Sequence, residues 1–192
     1  MAERTDTFTQ ILDVAQELVQ ARGFNAVSYA DISRRLGIRN ASVHYHFPAK
    51  TDLGVALVRR YRERLGGTLK AIDRGSASAA DRLERYLAAY RTVVHGDGRI
   101  CLCTILAGDY VTLPDTMQEE VRAFFDLNER WLAGVFRTGQ AAGELHFVGE
   151  PGEAAAAFLA SLEGAMLLAR SYRDLTRFEA TMRRSITALQ AA

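Results

Sequence analysis

Almost from its first residues the chain repeats apolar positions at steps of three and four. Phe8, Ile11, Leu12, Ala15, Leu18 and Val19 form one stripe, the mark of a helix that buries a single face. Gly23 ends that stripe. After Phe24 and Val27, the run Ser28, Tyr29, Ala30, Asp31 has the chemistry of a capping box: a hydroxyl that can accept from an orphan amide, and a carboxylate in the first turn. It predicts a short helix over Tyr29–Leu36, stopped by Gly37, which can turn left-handed without a Cβ penalty. A third helix follows over about Asn40–Phe47 and is closed by Pro48. A fourth begins at Lys50, buries Leu53, Leu57, Val58, Tyr61 and Leu65, and is expected to end near Gly66 and Gly67 or somewhat later.

The small residues from Asp73 to Ala80 read as a connection, with Ser78 and Asp81 as a second capping signal. The next helix carries Leu83, Tyr86, Leu87 and Tyr90 and stops at the turn-rich cluster His95–Gly98. A short apolar helix over about Ile100–Tyr110 precedes the longest one, opened by Pro114 and Asp115 and striped by Met117, Val121, Phe124, Phe125, Trp131, Leu132, Val135 and Phe136. Beyond a loop from Gly143 to Gly152, two helices over about Glu153–Tyr172 and Arg177–Gln190 complete the chain, the last expected to be capped by Thr176 and Glu179. No period-two alternation interrupts this, so the pattern predicts an all-α fold of about nine helices.

Composition agrees: 192 residues, 48% apolar, 24% charged and only three prolines. The formal charge of +1 does not announce a nucleic-acid partner, but its distribution changes the picture, because the first 66 residues carry +3 and the remainder −2. With charged residues at the N-terminus and no run of 18 apolar residues, no membrane partner and a cytoplasmic location are expected. Cys101 and Cys103, one residue apart, do not suggest a disulfide framework.

Ser28 to Lys50 holds the most informative chemistry. Two helices that cross closely need a small residue at the contact, a glycine in the turn and an apolar residue facing inward, and Ser33, Gly37 and Val43 meet those needs. An ordinary helical hairpin would satisfy the same three demands. The neighbours favour a helix-turn-helix: Arg39, Asn40, Ser42, His44, Tyr45, His46 and Lys50 crowd polar groups onto barely two turns, while small Ala41 permits close approach to a major groove. Asn can pair with adenine, an aromatic edge can meet a thymine methyl, and Lys50 suits a phosphate.

On these residues the segment Phe8–Leu53 resembles the DNA-binding domain of the TetR/AcrR family. Gly37 and Ile38, then His44, Tyr45, His46, Phe47, Pro48, Lys50 and Leu53, carry the likeness. The resemblance implies an N-terminal three-helix DNA-binding domain over 1–50 and a helical effector-binding and dimerisation domain over 51–192. It implies that Asn40, Ala41, Ser42 and Tyr45 approach bases and that Ser28, His44, His46 and Lys50 hold the backbone; Tyr29 and Arg39 complete the DNA-facing set. The family usually has Tyr where this chain has His44, which leaves an imidazole to donate that hydrogen bond.

The helix over Glu153–Tyr172 is apolar nearly all round and must be covered on more than one side. By the resemblance, Phe158, Leu162 and Met166, with Phe178, Met182 and Ile186 of the last helix, would supply half of an intersubunit four-helix bundle in a homodimer; a central core helix of a monomer is the alternative. Candidates for the effector pocket are Tyr86, Tyr90, Cys101, Cys103, Tyr110, Phe124, Phe125 and Trp131, and the scarcity of charge near them points to an apolar or electrophilic small molecule. Neighbouring thiols near His95 could sense oxidants, although buried free cysteines are commoner. Their spacing does not suit zinc, and no metal or cofactor is expected. The chain has no P-loop, dinucleotide fingerprint, nucleophile elbow or metal-binding His pair, so an enzyme is not expected. The function expected is that of a repressor released from a palindromic operator by a small molecule; the alternative is a helical adaptor for protein or lipid that does not bind DNA.

Overall fold

A computed structural model describes residues 6–94 and 98–190; the turn signal at His95–Asp97, and with it the proximity of His95 to the cysteines, lies outside the described residues. Among the described residues there are nine α-helices and no strand: α1 (Thr7–Arg22), α2 (Tyr29–Leu36), α3 (Asn40–His46), α4 (Lys50–Gly75), α5 (Ala79–Arg91), α6 (Leu102–Gly108), α7 (Asp115–Ala141), α8 (Pro151–Tyr172) and α9 (Thr176–Gln190), with a 3-10 turn at Tyr110–Thr112.

The chain packs as two compact units, 1–61 with 102–122, and 62–101 with 123–192. The first therefore extends past the 1–50 segment expected from the sequence. It takes in the first half of α4, α6 and the start of α7, because the face that α1 and α4 present must be covered by Leu106, Leu113, Met117 and Val121 as well as by α2 and α3. α6 packs against α1. Gly54 of α4 lies so close to Met117 and Phe24 that a Cβ there would strike the Met117 sulfur. Arg59 spans to Glu120 at 2.8 Å, Arg60 to Asp13 at 2.9 Å, and the Asn25 amide donates to Thr112 Oγ1 at 2.8 Å.

In the second unit α8 and α9 pack along each other, and α5 touches α9. The N-terminus of α5 is closed twice: Ser78 Oγ accepts from the Asp81 amide at 3.1 Å, and the Glu144 carboxylate accepts from Ala79 at 2.6 Å and Ala80 at 3.3 Å. At Gly139 of α7 a Cβ would lie 2.8 Å from Ala79 Cβ and 2.6 Å from the Leu145 side chain, so glycine permits that approach.

One sequence expectation is narrowed and three change. α4 takes the later of its expected ends, running past Gly66 and Gly67 to Gly75, because Leu69 and Ile72 prolong its buried stripe and outweigh a cost of about 1 kcal/mol per helical glycine. The expected helix over 100–110 is shorter and is followed by the separate 3-10 turn. α9 is not capped by Thr176 and Glu179: the Asp174 carboxylate accepts from the Thr176 amide at 3.0 Å, while Glu179 pairs with Arg91 at 2.8 Å.

The fourth concerns the expected dimer residues. Phe158, Leu162, Met166, Phe178, Met182 and Ile186 are all buried within this one chain, forming its own core, and are not a surface offered to a second copy. Periodicity showed that these faces need cover but not which neighbour supplies it. The exposed apolar residues of α8 and its exit are instead Leu167, Leu168, Tyr172 and Leu175. By length and composition α8 could cross a membrane, yet its buried residues face the interior of the second unit.

Candidate nucleic-acid interface

Local hydrogen bonds shape this site. Ser28 accepts from the Asp31 amide at 3.2 Å and Asp31 accepts from the Ser28 amide at 2.9 Å, so both halves of the capping box form and start α2. The Ser28 hydroxyl, which donates to Asp31 Oδ2 at 2.6 Å, and after it the Ser28 amide hold the Asp31 carboxyl below its ordinary range. Gly37 adopts φ 67° and ψ 27°, and the Ile38 amide returns to the Ser33 carbonyl at 3.1 Å, which turns the chain into α3. Buried Ser33 is the small residue at the crossing, and Val43 and Phe47 are the inward anchors of α3.

The rest of α3 faces out. Arg39, Asn40, Ala41, His44 and Tyr45 are exposed, Ser42 and His46 half-buried, and Tyr45 keeps 84% of its surface in solvent. Arg39, Asn40, Ser42 and Tyr45 make no side-chain hydrogen bond or ion pair among the described residues. Arg34, Arg35, Arg59 and Arg60 of the same unit, by contrast, are engaged by Asp31, Glu17, Glu120 and Asp13.

Tyr29 departs from the expected set. It is only 8% exposed, and its hydroxyl donates to the Phe47 carbonyl at 2.8 Å, tying the end of α3 to α2. Burial, helped by the Asp52 charge, pushes its phenol up to about 12. It positions α3 and has no hydroxyl proton left to offer outward.

A cleft of about 390 Å³ opens between the segment Asn25–Tyr29, His44 and Lys50. The Lys50 ammonium sits 4.6 Å from the centroid of the Phe24 ring and 3.4 Å from the Asn25 carbonyl, and burial lowers its pKa. Asn25 and Ala26 carry no signal in the sequence pattern; they lie between helices, where no periodicity marks a lining residue.

The effector candidates are divided between the two units. Tyr86, Tyr90, Cys101, Phe124, Phe125 and Trp131 belong to the second unit, whereas Cys103 is buried in the first and Tyr110 lies on its 3-10 turn beside Arg122. In the second unit Tyr86 stacks on Trp131 with centroids 5.2 Å apart, and the indole N–H donates to Asp73 at 3.0 Å. Both phenols donate to one acceptor, Asn128 Oδ1, at 2.7 and 3.0 Å, and Asn128 Nδ2 donates to the Phe124 carbonyl at 3.0 Å. Burial raises both phenols well above their ordinary range, and the charges of Cys101 and Glu163 act in the same direction. Sequence reasoning missed Asn128, although its place on the apolar stripe of α7, four residues after Phe124 and four before Leu132, was a usable signal. A separate groove of about 420 Å³, lined by Phe136, Phe147, Phe158, Ser161, Ser185 and Leu189 among others, includes none of the expected pocket residues. No group of three or more potential metal ligands occurs among the described residues.

A glycine-turned helix pair with an outward polar second helix defines the class of helix-turn-helix regulators. Residues 11–57 match the family model described as bacterial regulatory proteins, tetR family, and residues 79–185 match the tetracyclin repressor-like C-terminal domain. The chain is similar to a TetR-family transcriptional regulator from Agrobacterium tumefaciens, with TM-score 0.92 and 35% identity over 96% of this chain and 97% of that one. It is also similar to a TetR transcriptional regulator from Legionella pneumophila, with TM-score 0.88 and 31% identity over 98% and 100%. Among curated proteins, the transcriptional regulator AcuR of Cereibacter sphaeroides is 29% identical over 157 residues, 80% of this chain and 72% of that protein. The chain belongs to the TetR family and is a DNA-binding transcriptional regulator.

Proposed function

We propose that the protein is a homodimeric, cytoplasmic repressor that a small molecule releases from a palindromic operator. The observation that carries the DNA half is the outward face of α3, where Arg39, Asn40, Ser42 and Tyr45 hold unspent donors and acceptors while Val43 and Phe47 anchor the helix from within. On this reading residues 1–50 contain the DNA-contacting surface, Asn40, Ala41, Ser42 and Tyr45 meet base edges, and Arg39, His44, His46 and Lys50 meet phosphates, the Ser28 hydroxyl and amide being held by Asp31. Paired copies would place two such helices in successive major grooves, with Leu167, Leu168, Tyr172 and Leu175 as the apolar residues available to a partner.

The effector half falls within residues 51–192, at Tyr86, Tyr90, Trp131 and Cys101, where aromatic rings surround a few convergent polar groups. Because the two phenols already donate to Asn128 and the indole to Asp73, aromatic faces and not free donors would meet the effector, which favours an apolar molecule. α4 and α7 each continue from one compact unit into the other, giving a covalent route for coupling.

In-vitro selection from a random-sequence DNA pool, followed by anisotropy titration of the recovered duplex, tests the assignment. Tyr45→Ala should weaken binding about tenfold or more, and Lys50→Ala should lower the log–log salt slope by about one unit per bound chain. A preferred duplex whose affinity ignores both substitutions would refute this interface.

A further inference from the structure

Two histidines flank Tyr45 on α3, and their surroundings differ. His46 is half-buried, with its ring 6.1 Å from that of Phe8, and the Asp6 carboxylate at the start of α1 interacts with it electrostatically. His44 is exposed, rests its edge on the Tyr29 ring at 4.7 Å and forms one wall of the 390 Å³ cleft.

The groups that face His44 come from three elements. The α1–α2 connection contributes Asn25, α2 and its cap contribute Ser28 and Tyr29, and α4 contributes the Lys50 ammonium. The nearby carboxylates are committed elsewhere: Asp31 caps α2, and Asp52 accepts from the Ala49 amide at 2.9 Å. Neither lines the cleft. The Ser28 hydroxyl on the cleft wall is already spent, donating to Asp31 Oδ2 at 2.6 Å, so the donors the cleft offers are one cation and one imidazole, Lys50 and His44, a pair that suits a phosphate oxygen. An imidazolium would donate a charge-assisted hydrogen bond to that oxygen, about twice as strong as a neutral one.

Resting on the DNA-binding reading above, we propose that His44 is a proton-gated phosphate contact, so that binding DNA takes up a proton at His44 and the protein's grip on its operator tightens as pH falls. The sign follows from linkage. Phosphate stabilises the protonated ring, so the gain is fully present below the titration of the free protein and disappears as pH rises through that of the complex.

The test uses the full chain and the duplex recovered by selection, at constant ionic strength. Wild type should bind about three- to tenfold more tightly near about pH 6 than about pH 8, with a salt slope steeper by about one unit per bound chain at the lower pH. His44→Gln should flatten that pH ratio. Calorimetry of the wild type in buffers of different ionisation enthalpy should register proton uptake on binding, independently of any variant. A pH ratio that survives His44→Gln, or an absence of proton uptake, would overturn the proposal while leaving DNA binding intact. Failure of the selection to return any preferred duplex would instead remove the reading on which it rests.

Discussion

Asn40 and Tyr45 in one unit, and Asn128 with Tyr86 and Tyr90 in the other, use the same chemistry in opposite ways. On α3 the amide and phenol face solvent with no hydrogen-bonding partner among the described residues; in the second unit two phenols donate to one fully buried amide oxygen, which leaves neither phenol idle. Water satisfies the first pair, so those groups can be exchanged for a partner at little cost. The second cluster has no such option, because an unmade hydrogen bond in the core costs about 1–3 kcal/mol. One arrangement stores recognition; the other holds a core in a single geometry.

The largest expected effect attacks the buried cluster. Asn128→Ala strands two phenols and opens a cavity, and it should lower unfolding free energy by about 3–5 kcal/mol in urea titrations, with the loss read from second-unit tryptophan fluorescence. Next comes the reverse case: Tyr45→Ala should leave stability within about 0.5 kcal/mol while weakening DNA binding about tenfold. A Tyr45→Ala chain that unfolds as readily as Asn128→Ala would break the contrast.

Tyr29 sharpens it, being a tyrosine of the recognition unit that behaves like those of the core. With its phenol pushed up to about 12 from an ordinary 10, its contribution is complete below about pH 10 and is lost as pH rises towards 12. Tyr29→Phe should cost about 1 kcal/mol at neutral pH and erase that alkaline limb in thermal melts followed by circular dichroism. The smallest effect lies at the α8–α9 turn, where Arg173 alone among the described non-glycine residues has positive φ, 53°. Arg173→Gly should change stability by less than about 1 kcal/mol, in the stabilising direction, as a small rise in melting temperature.

What could be read along the chain was local. The Ser28–Asp31 box, the Gly37 turn and the inward Val43 each depend on residues within a few positions, so the recognition motif was legible residue by residue. Asn128 was legible only as an anomaly in an apolar stripe, since nothing in α7 itself says that two tyrosines of α5 meet it. The direction of the Tyr29 hydroxyl was equally hidden, its acceptor lying 18 residues away. The six apolar residues of α8 and α9 announced burial without saying whether the same chain or a second one would provide it.

Helix type, helix order and the polar character of α3 were thus settled by sequence alone, because caps, turns and periodicity act over one or two turns of chain. Which face each helix buries, which polar groups consume one another and which remain outward were decided only by tertiary packing. Burial depends on neighbours distant in sequence, and a hydrogen-bonding group is free or spent according to what that packing brings within about 3 Å.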